Sequence, residues 1–234
     1  MKVKDIIVEA EPEIELEPKK LKGPGIRGVN LSFPYDSTTN TYLPKKDVSR
    51  LGSGISSIAL SKKSKPHEVK RITHTVRNGA GLNDDPYLNF LKVAVKHQDN
   101  PYLPRIYSVK TFLSTEGNYT YYVDLERLHS WKELSWAQWA YLFKKFFGTQ
   151  IRDNREIYSK QGAAEKFAED FKKTVHDFYK KTHGVIISKY LNDALKLISP
   201  FVENFYIDLH QENIMFRFTP YGVQPVITDP LYYN

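Results

Sequence analysis

Residues 206–216 read YIDLHQENIMF, and residues 227–231 read ITDPL. In the first stretch an aspartate, a histidine, a glutamine, a glutamate and an asparagine stand between a run with helical spacing and a run with strand character. The segments NIMFRF and VQPVITD flank TPYG and predict a two-stranded antiparallel hairpin. With the turn centred on Tyr221, positions 213 and 229 are equidistant from it. Antiparallel pairing then brings Asn213 and Asp229 together at the open end. Asp208 lies five residues before Asn213, near enough for one loop to deliver it to the same place. Two aspartates and an asparagine make a hard-oxygen set that suits Mg2+, which takes one or two carboxylates together with substrate phosphates. The competing explanation is local: an Asp capping a turn, an Asn ending a strand, and an Asp-Pro turn.

Upstream of this hairpin the chain has two different halves. SRLGSG, SSIALSKK and HEVKRITHTV are short strand-like runs and predict an antiparallel meander. DPYLNFLKVAVKH places Tyr87, Leu88, Leu91 and Val95 at helical spacing, with Asp84 or Asp85 as cap and Pro86 in the first turn. IYSVKTFL and TYYVDLERL add strands, so that one helix is inserted after the third of five. The second half predicts helices over WKELSWAQWAYLFKKFFG, GAAEKFAEDFKKTVHDFYKKT and GVIISKYLNDALKLISPFVENF, the last running into the stretch quoted first. Trp136, Trp139 and Phe143 fall on one helical face, as a core stripe or, alternatively, a partner-binding face. Residues 1–26 pass from acidic (EAEPEIELEP) to basic (KKLKGPGIR) with breaking prolines and glycines. Residues 1–46 are therefore expected to be an arm, partly extended or disordered.

The chain has 234 residues, a formal charge of +7 and no cysteine, which excludes disulfides and thiol chemistry. No apolar run reaches the length of a membrane span, and the charged start is unlike a signal peptide, so a cytoplasmic location without membrane association is expected. The basic residues are spread out, with no zinc finger or RNP-type motif, and nucleic acid is not expected as the main ligand. The histidines lack metal-ligand spacing, so zinc is not expected. Gly52 and Gly54 stand in a strand–turn–strand context where the backbone can approach phosphates, and Lys70 follows on a strand eighteen residues after Gly52.

In this order, LGSG, Lys70, a helix, DLHQEN and ITDPL resemble the protein-kinase-like superfamily over about residues 50–231. FYIDLHQENIMF and VITDP are similar to the early serine/threonine protein kinase of short-tailed bacteriophages. The resemblance implies an α+β, bilobal protein-kinase-like fold. A small antiparallel-sheet N-lobe would span 47–128, and a helical C-lobe, truncated after the metal-binding Asp motif, would span 129–234. It implies an ATP- and Mg2+-dependent serine/threonine kinase acting on host proteins, and on itself, in the host cytoplasm. Asp208 would be the base, and Asn213 and Asp229 would hold the metal. Lys70 and the loop Gly52, Ser53, Gly54 and Ser57 would position the phosphates, Ser57 standing where the third glycine of the motif is usual.

Four features depart from the pattern. There is no glutamate between Glu68 and Glu116 to pair with Lys70 from the inserted helix, and Ile207, not arginine, precedes Asp208. Pro230 and Leu231 follow Asp229 where Phe and Gly are usual. The sequence ends five residues after Asp229, so no activation segment is expected, and substrate recognition is expected from residues 131–183 or the arm. These departures keep a host-factor-binding pseudokinase open. The DLH form of the loop, with His210, resembles aminoglycoside phosphotransferases and keeps a small-molecule phosphotransferase open. The oligomeric state is not indicated.

Overall fold

The computed structural model describes residues 13–20, 35–36, 41–42, 48–53, 57–74, 84–113, 119–151, 157, 159–179 and 188–233. Gly54 lies outside them, as does most of the expected arm. By compactness the chain forms two units, Met1–Gly79 with Ile106–Glu126 and Ala80–Arg105 with Arg127–Asn234. One is built on a sheet and the other mainly on helices. This is the α+β architecture in two parts that the sequence leads one to expect.

In the first unit the strands are β1 (Glu13–Lys20), β2 (Tyr35–Asp36), β3 (Thr41–Tyr42), β4 (Val48–Ser53), β5 (Ser57–Lys62), β6 (Lys65–His74), β7 (Ile106–Leu113) and β8 (Tyr119–Glu126). Six of them make one sheet in the order β1-β7-β8-β6-β5-β4, and β2 and β3 pair separately. The five expected strands are β4 to β8, and their neighbours pair antiparallel. The sixth was not expected. Residues of the acidic-to-basic segment add as β1 to the sheet edge, parallel to β7, with a register shift between Glu15 and Lys19. Pro18 falls within that break, and an edge strand is where a residue without an N–H is tolerated. Ile72, Val109, Tyr121 and Val123 are fully buried in this unit.

The second unit holds α1 (Pro86–Lys96), α2 (Trp136–Phe147), α3 (Lys160–Tyr179), α4 (Lys189–Ile198) and the short strands β9 (Phe205–Ile207), β10 (Ile214–Thr219), β11 (Gly222–Ile227) and β12 (Leu231–Tyr233). α1 begins as anticipated, with Asp85 Oδ1 accepting from Leu88 N at 2.8 Å and Pro86 in the first turn. By compactness α1 belongs with this unit, although it lies between strands in sequence. Its Tyr87, Leu88, Phe90 and Leu91 are buried, and the Tyr233 hydroxyl lies 3.5 Å from Asp85 Oδ2.

Two helix boundaries differ from the sequence-based expectation. Residues 131–133 form a separate 3₁₀ turn, and α2 starts only at Trp136. The reason is a capping box at Ser135, in which Ser135 Oγ accepts from Gln138 N at 3.3 Å while Ser135 N donates to Gln138 Oε1 at 2.7 Å. The last expected helix starts no earlier than Lys189 among the described residues, where Ser188 Oγ accepts from Leu191 N at 3.2 Å. It stops at a 3₁₀ turn containing Pro200, which frees Phe205–Ile207 to become β9.

Trp139 and Phe143 are fully buried as expected, but Trp136, the first helical residue, is 47% exposed. Trp139 instead meets Phe216 edge-on at 5.5 Å and Phe167 at 5.9 Å, so α2, α3 and β10 share one aromatic core. His129 extends the attachment of β10. It exchanges backbone hydrogen bonds with Phe216, and its ring stacks on Phe218 at 3.9 Å. Its Nδ1 lies 2.9 Å from Glu133 Oε2. Burial alone would raise the Glu133 carboxyl, but the Ser130 N–H, the His129 ring and the Arg127 charge outweigh it and hold the group below its ordinary value.

Phe216→Ala is expected to cost about 3–5 kcal/mol in urea unfolding, because it empties the centre of the aromatic core. A carboxyl lowered on folding stabilises above its unfolded value and loses that contribution as pH falls through its folded one. Glu133→Gln should therefore lower the urea midpoint at neutral pH, and the two midpoints should converge on acidification.

Candidate active site

The polar stretch over residues 206–216 is held between two small ladders of the second unit. β10 pairs with β11, and β9 pairs with β12, both antiparallel. The loop 208–213 therefore leaves β9 and enters β10, while 228–230 leaves β11 and enters β12. Leu231 sits opposite Ile207 in one ladder, and Ile214 sits opposite Ile227 in the other. The β9–β12 ladder was not foreseen, and it brings the two ends of the site together. Asp208 N donates to Pro230 O at 2.8 Å, directly across from the end of that ladder.

The hairpin register corrects one expectation. Thr219 pairs with Gly222, so the turn lies between Pro220 and Tyr221 and is not centred on Tyr221. Asn213 therefore faces Thr228, not Asp229. Thr228 donates to Asn213 O twice, from N at 3.0 Å and from Oγ1 at 3.0 Å. The reason is the two-residue turn, with Gly222 at φ 124°, a conformation that glycine adopts readily. Asp229, half-buried, follows one residue later, between a β11 end fixed to Asn213 and a Pro230 carbonyl fixed to Asp208.

Within the loop, the Asn213 amide Nδ2 donates to Asp208 O at 2.8 Å and to Asp208 Oδ2 at 3.1 Å. This turns the other end of the amide, the hard oxygen Oδ1, away from Asp208. Asn213 N donates to His210 O at 2.9 Å, closing the loop. Leu209 is buried and anchors the loop from below, so that Asp208 and His210 on either side reach solvent. His210 Nδ1 accepts from Glu212 N at 3.2 Å, which in the neutral ring leaves the proton on Nε2. Nε2 lies 3.6 Å from Asp208 Oδ2, a distance at which charge is felt without a direct hydrogen bond.

The hairpin carrying these residues is fastened to the chain segment after α1. Arg217 donates from Nη1 to Pro101 O at 2.8 Å and from Nη2 to Leu103 O at 3.0 Å. Ile227 N donates to Tyr102 O at 2.8 Å.

Backbone hydrogen bonds thus bring the loop that carries Asp208 and Asn213 beside the link that carries Asp229. Among the described residues no three His, Asp or Glu side chains gather as a metal cage. Asn213 and Asp229 offer hard oxygens of the kind Mg2+ takes when phosphates complete its shell. In the first unit, Gly52 and Ser53 end β4 opposite Ala59 and Ile58, and Ser57 starts β5 opposite Thr73. Lys70 stands on β6 opposite Asp124 of β8, and its Nζ lies 2.7 Å from Asp124 Oδ1 and 3.0 Å from Oδ2. Sequence reasoning missed Thr228 and Asp124. A carboxylate inside the β-forming run TYYVDLE was the available signal for Asp124.

No protein-family model matches the chain, and no curated protein does. Among solved structures it is similar to the MAP kinase LmaMPK10 from Leishmania major, at 15% identity and a TM-score of 0.32, over 78% of this chain and 45% of that one. It is also similar to the amicoumacin kinase hAmiN in complex with AMP-PNP, Ca2+ and Ami, at 16% identity and a TM-score of 0.32, over 82% of this chain and 61% of that one. The chain thus spans about half of the first and three-fifths of the second.

Asn213→Asp would set a second carboxylate within hydrogen-bonding distance of Asp208 and remove the amide donor. It is expected to destabilise the fold by about 1–3 kcal/mol at pH 7 in urea unfolding, and Thr228→Val by about 1 kcal/mol.

Proposed function

We propose that the chain is an ATP- and Mg2+-dependent phosphotransferase of the protein-kinase-like class, acting on serine or threonine hydroxyls. One observation carries this reading. The Asn213 amide holds the Asp208 carboxylate while the backbone bond from Asp208 to Pro230 holds the Asp229 segment beside it. A D-x-x-x-x-N loop and a second aspartate in adjoining segments suit phosphoryl transfer, since that chemistry is mostly positioning and charge neutralisation.

In this reading Asp208 accepts the proton of the acceptor hydroxyl, and Asn213 keeps its carboxylate aimed. His210 Nε2 stands beside the same oxygen, 3.6 Å from it. Asn213 Oδ1 and Asp229 would hold the metal, which when bound neutralises charge on the phosphates and fixes their geometry. Lys70 and the backbone around Gly52, Ser53, Gly54 and Ser57 would hold the phosphates of ATP.

The phage-type assignment, host-protein acceptors, self-phosphorylation and a location in the host cytoplasm rest on the resemblance of FYIDLHQENIMF and VITDP, with LPRIYSV and YLNFL beside them. Among the described residues no helix is long and apolar enough to cross a membrane. A second reading, transfer to a small-molecule hydroxyl, is favoured by His210 facing Asp208, as the DLH form of the loop implies.

ATP with Mg2+ at a hundred times its dissociation constant is expected to stabilise the protein by about 2.7 kcal/mol in a thermal-shift titration. Radiolabelled ATP should yield phosphoserine or phosphothreonine on the protein or on a bacterial lysate. Asp208→Asn should slow transfer by roughly 10²–10⁴-fold, and Asp229→Ala should abolish the metal-dependent part of nucleotide binding. No thermal shift and no transfer would overturn the proposal. Label appearing only on added sugars, nucleosides or aminoglycosides would replace it with the second reading.

A further inference from the structure

The sheet of the first unit carries a row of facing residues whose polar members come from three different strands. Leu60 of β5 lies opposite Lys70 of β6, Lys70 lies opposite Asp124 of β8, and Asp124 lies opposite Ser108 of β7. Lys70 Nζ contacts both Asp124 oxygens, at 2.7 and 3.0 Å, and Ser108 Oγ donates to Asp124 Oδ2 at 2.8 Å. The Lys70 ammonium also lies 5.9 Å from the centre of the Tyr122 ring, on the same face one pleat away. The inserted helix offers no comparable partner from its own length. PYLNFLKVAVK contains no acid, and Asp85 ahead of it is committed to the helix cap.

We propose that Asp124 is the positioning partner of Lys70 for nucleotide phosphate, with Ser108 fixing the Asp124 carboxylate in turn. The inference rests on the phosphotransferase reading above. A lysine on a flexible four-carbon stem gives up much rotamer freedom when its head is fixed. A carboxylate directly across the ladder fixes it in advance. The ammonium has three donors and the carboxylate engages at most two, so at least one is left to meet a phosphate oxygen. Both side chains are 29% exposed, enough for a ligand to reach the pair. The acid that holds the lysine is therefore set by strand register, and the pair forms with the sheet.

The test is a double-mutant cycle on the full chain, following transfer from radiolabelled ATP at saturating and limiting ATP. The proteins are wild type, Asp124→Asn, Lys70→Met and the double variant. Asp124→Asn is expected to lower kcat by between about ten- and a hundredfold, as for a misplaced catalytic group, with a smaller change in KM for ATP. In the Lys70→Met background the same change should cost nothing further, because Asp124 acts through Lys70. Ser108→Ala should give a smaller loss in the same direction, and it carries the test if circular dichroism shows Asp124→Asn unfolded.

A wild-type rate for Asp124→Asn, or an equal loss in both Lys70 backgrounds, would overturn the inference and leave the phosphotransferase reading standing. Absence of nucleotide binding and transfer in the wild type would overturn both.

Discussion

The backbone hydrogen bond from Asp208 to Pro230 carries the β9–β12 ladder up to the candidate site, so the loop that enters β10 stays beside the link that leaves β11. Each ladder is short, and a two-stranded ribbon by itself is marginal in water. Together they constrain each other, because the loop from β9 to β10 and the link from β11 to β12 must run side by side. Asp208, Asn213 and Asp229 all lie in those connections. Remove the β9–β12 pairing, and the hairpin could still form while the second aspartate lost its place.

That arrangement depends in turn on an apolar anchor. Phe216 puts one side of β10 into the same aromatic core as Trp139, Phe143 and Phe167. Arg217, the next residue, satisfies two carbonyls of the segment after α1 from the opposite face of the strand. Alternation along one strand thus fastens the hairpin from both sides, and Leu209 does the same for the loop. The polar groups can then stand at a solvent-facing rim without being mobile, which is what positioning chemistry needs.

The sheet unit solves a similar problem by different means. Lys70 has its acid across a strand ladder, where backbone hydrogen bonds already set the spacing. A partner on a helix would have to be placed by side-chain packing. A pair held in register needs only the correct strand order, and Ser108 on the next strand removes the remaining rotation of the carboxylate.

The α+β class, the five antiparallel strands, the hairpin and the short separation of Asp208 from Asn213 were legible in the residues, because period, turn chemistry and spacing act over a few neighbours. The site's detailed wiring was not. The one-residue offset that pairs Asn213 with Thr228 comes from the turn geometry around Gly222. The exposure of Trp136 follows from where Ser135 caps the helix. The strand β1 and the pairing of β9 with β12 are contacts between distant segments, and each segment alone is too short or too charged to announce itself. Asp124 is the clearest case. In sequence it is one of two acids in a strand-forming run, 54 residues from Lys70. Only the order of strands in the sheet makes it a neighbour, since local chemistry writes the elements and non-local hydrogen bonding decides which of them touch.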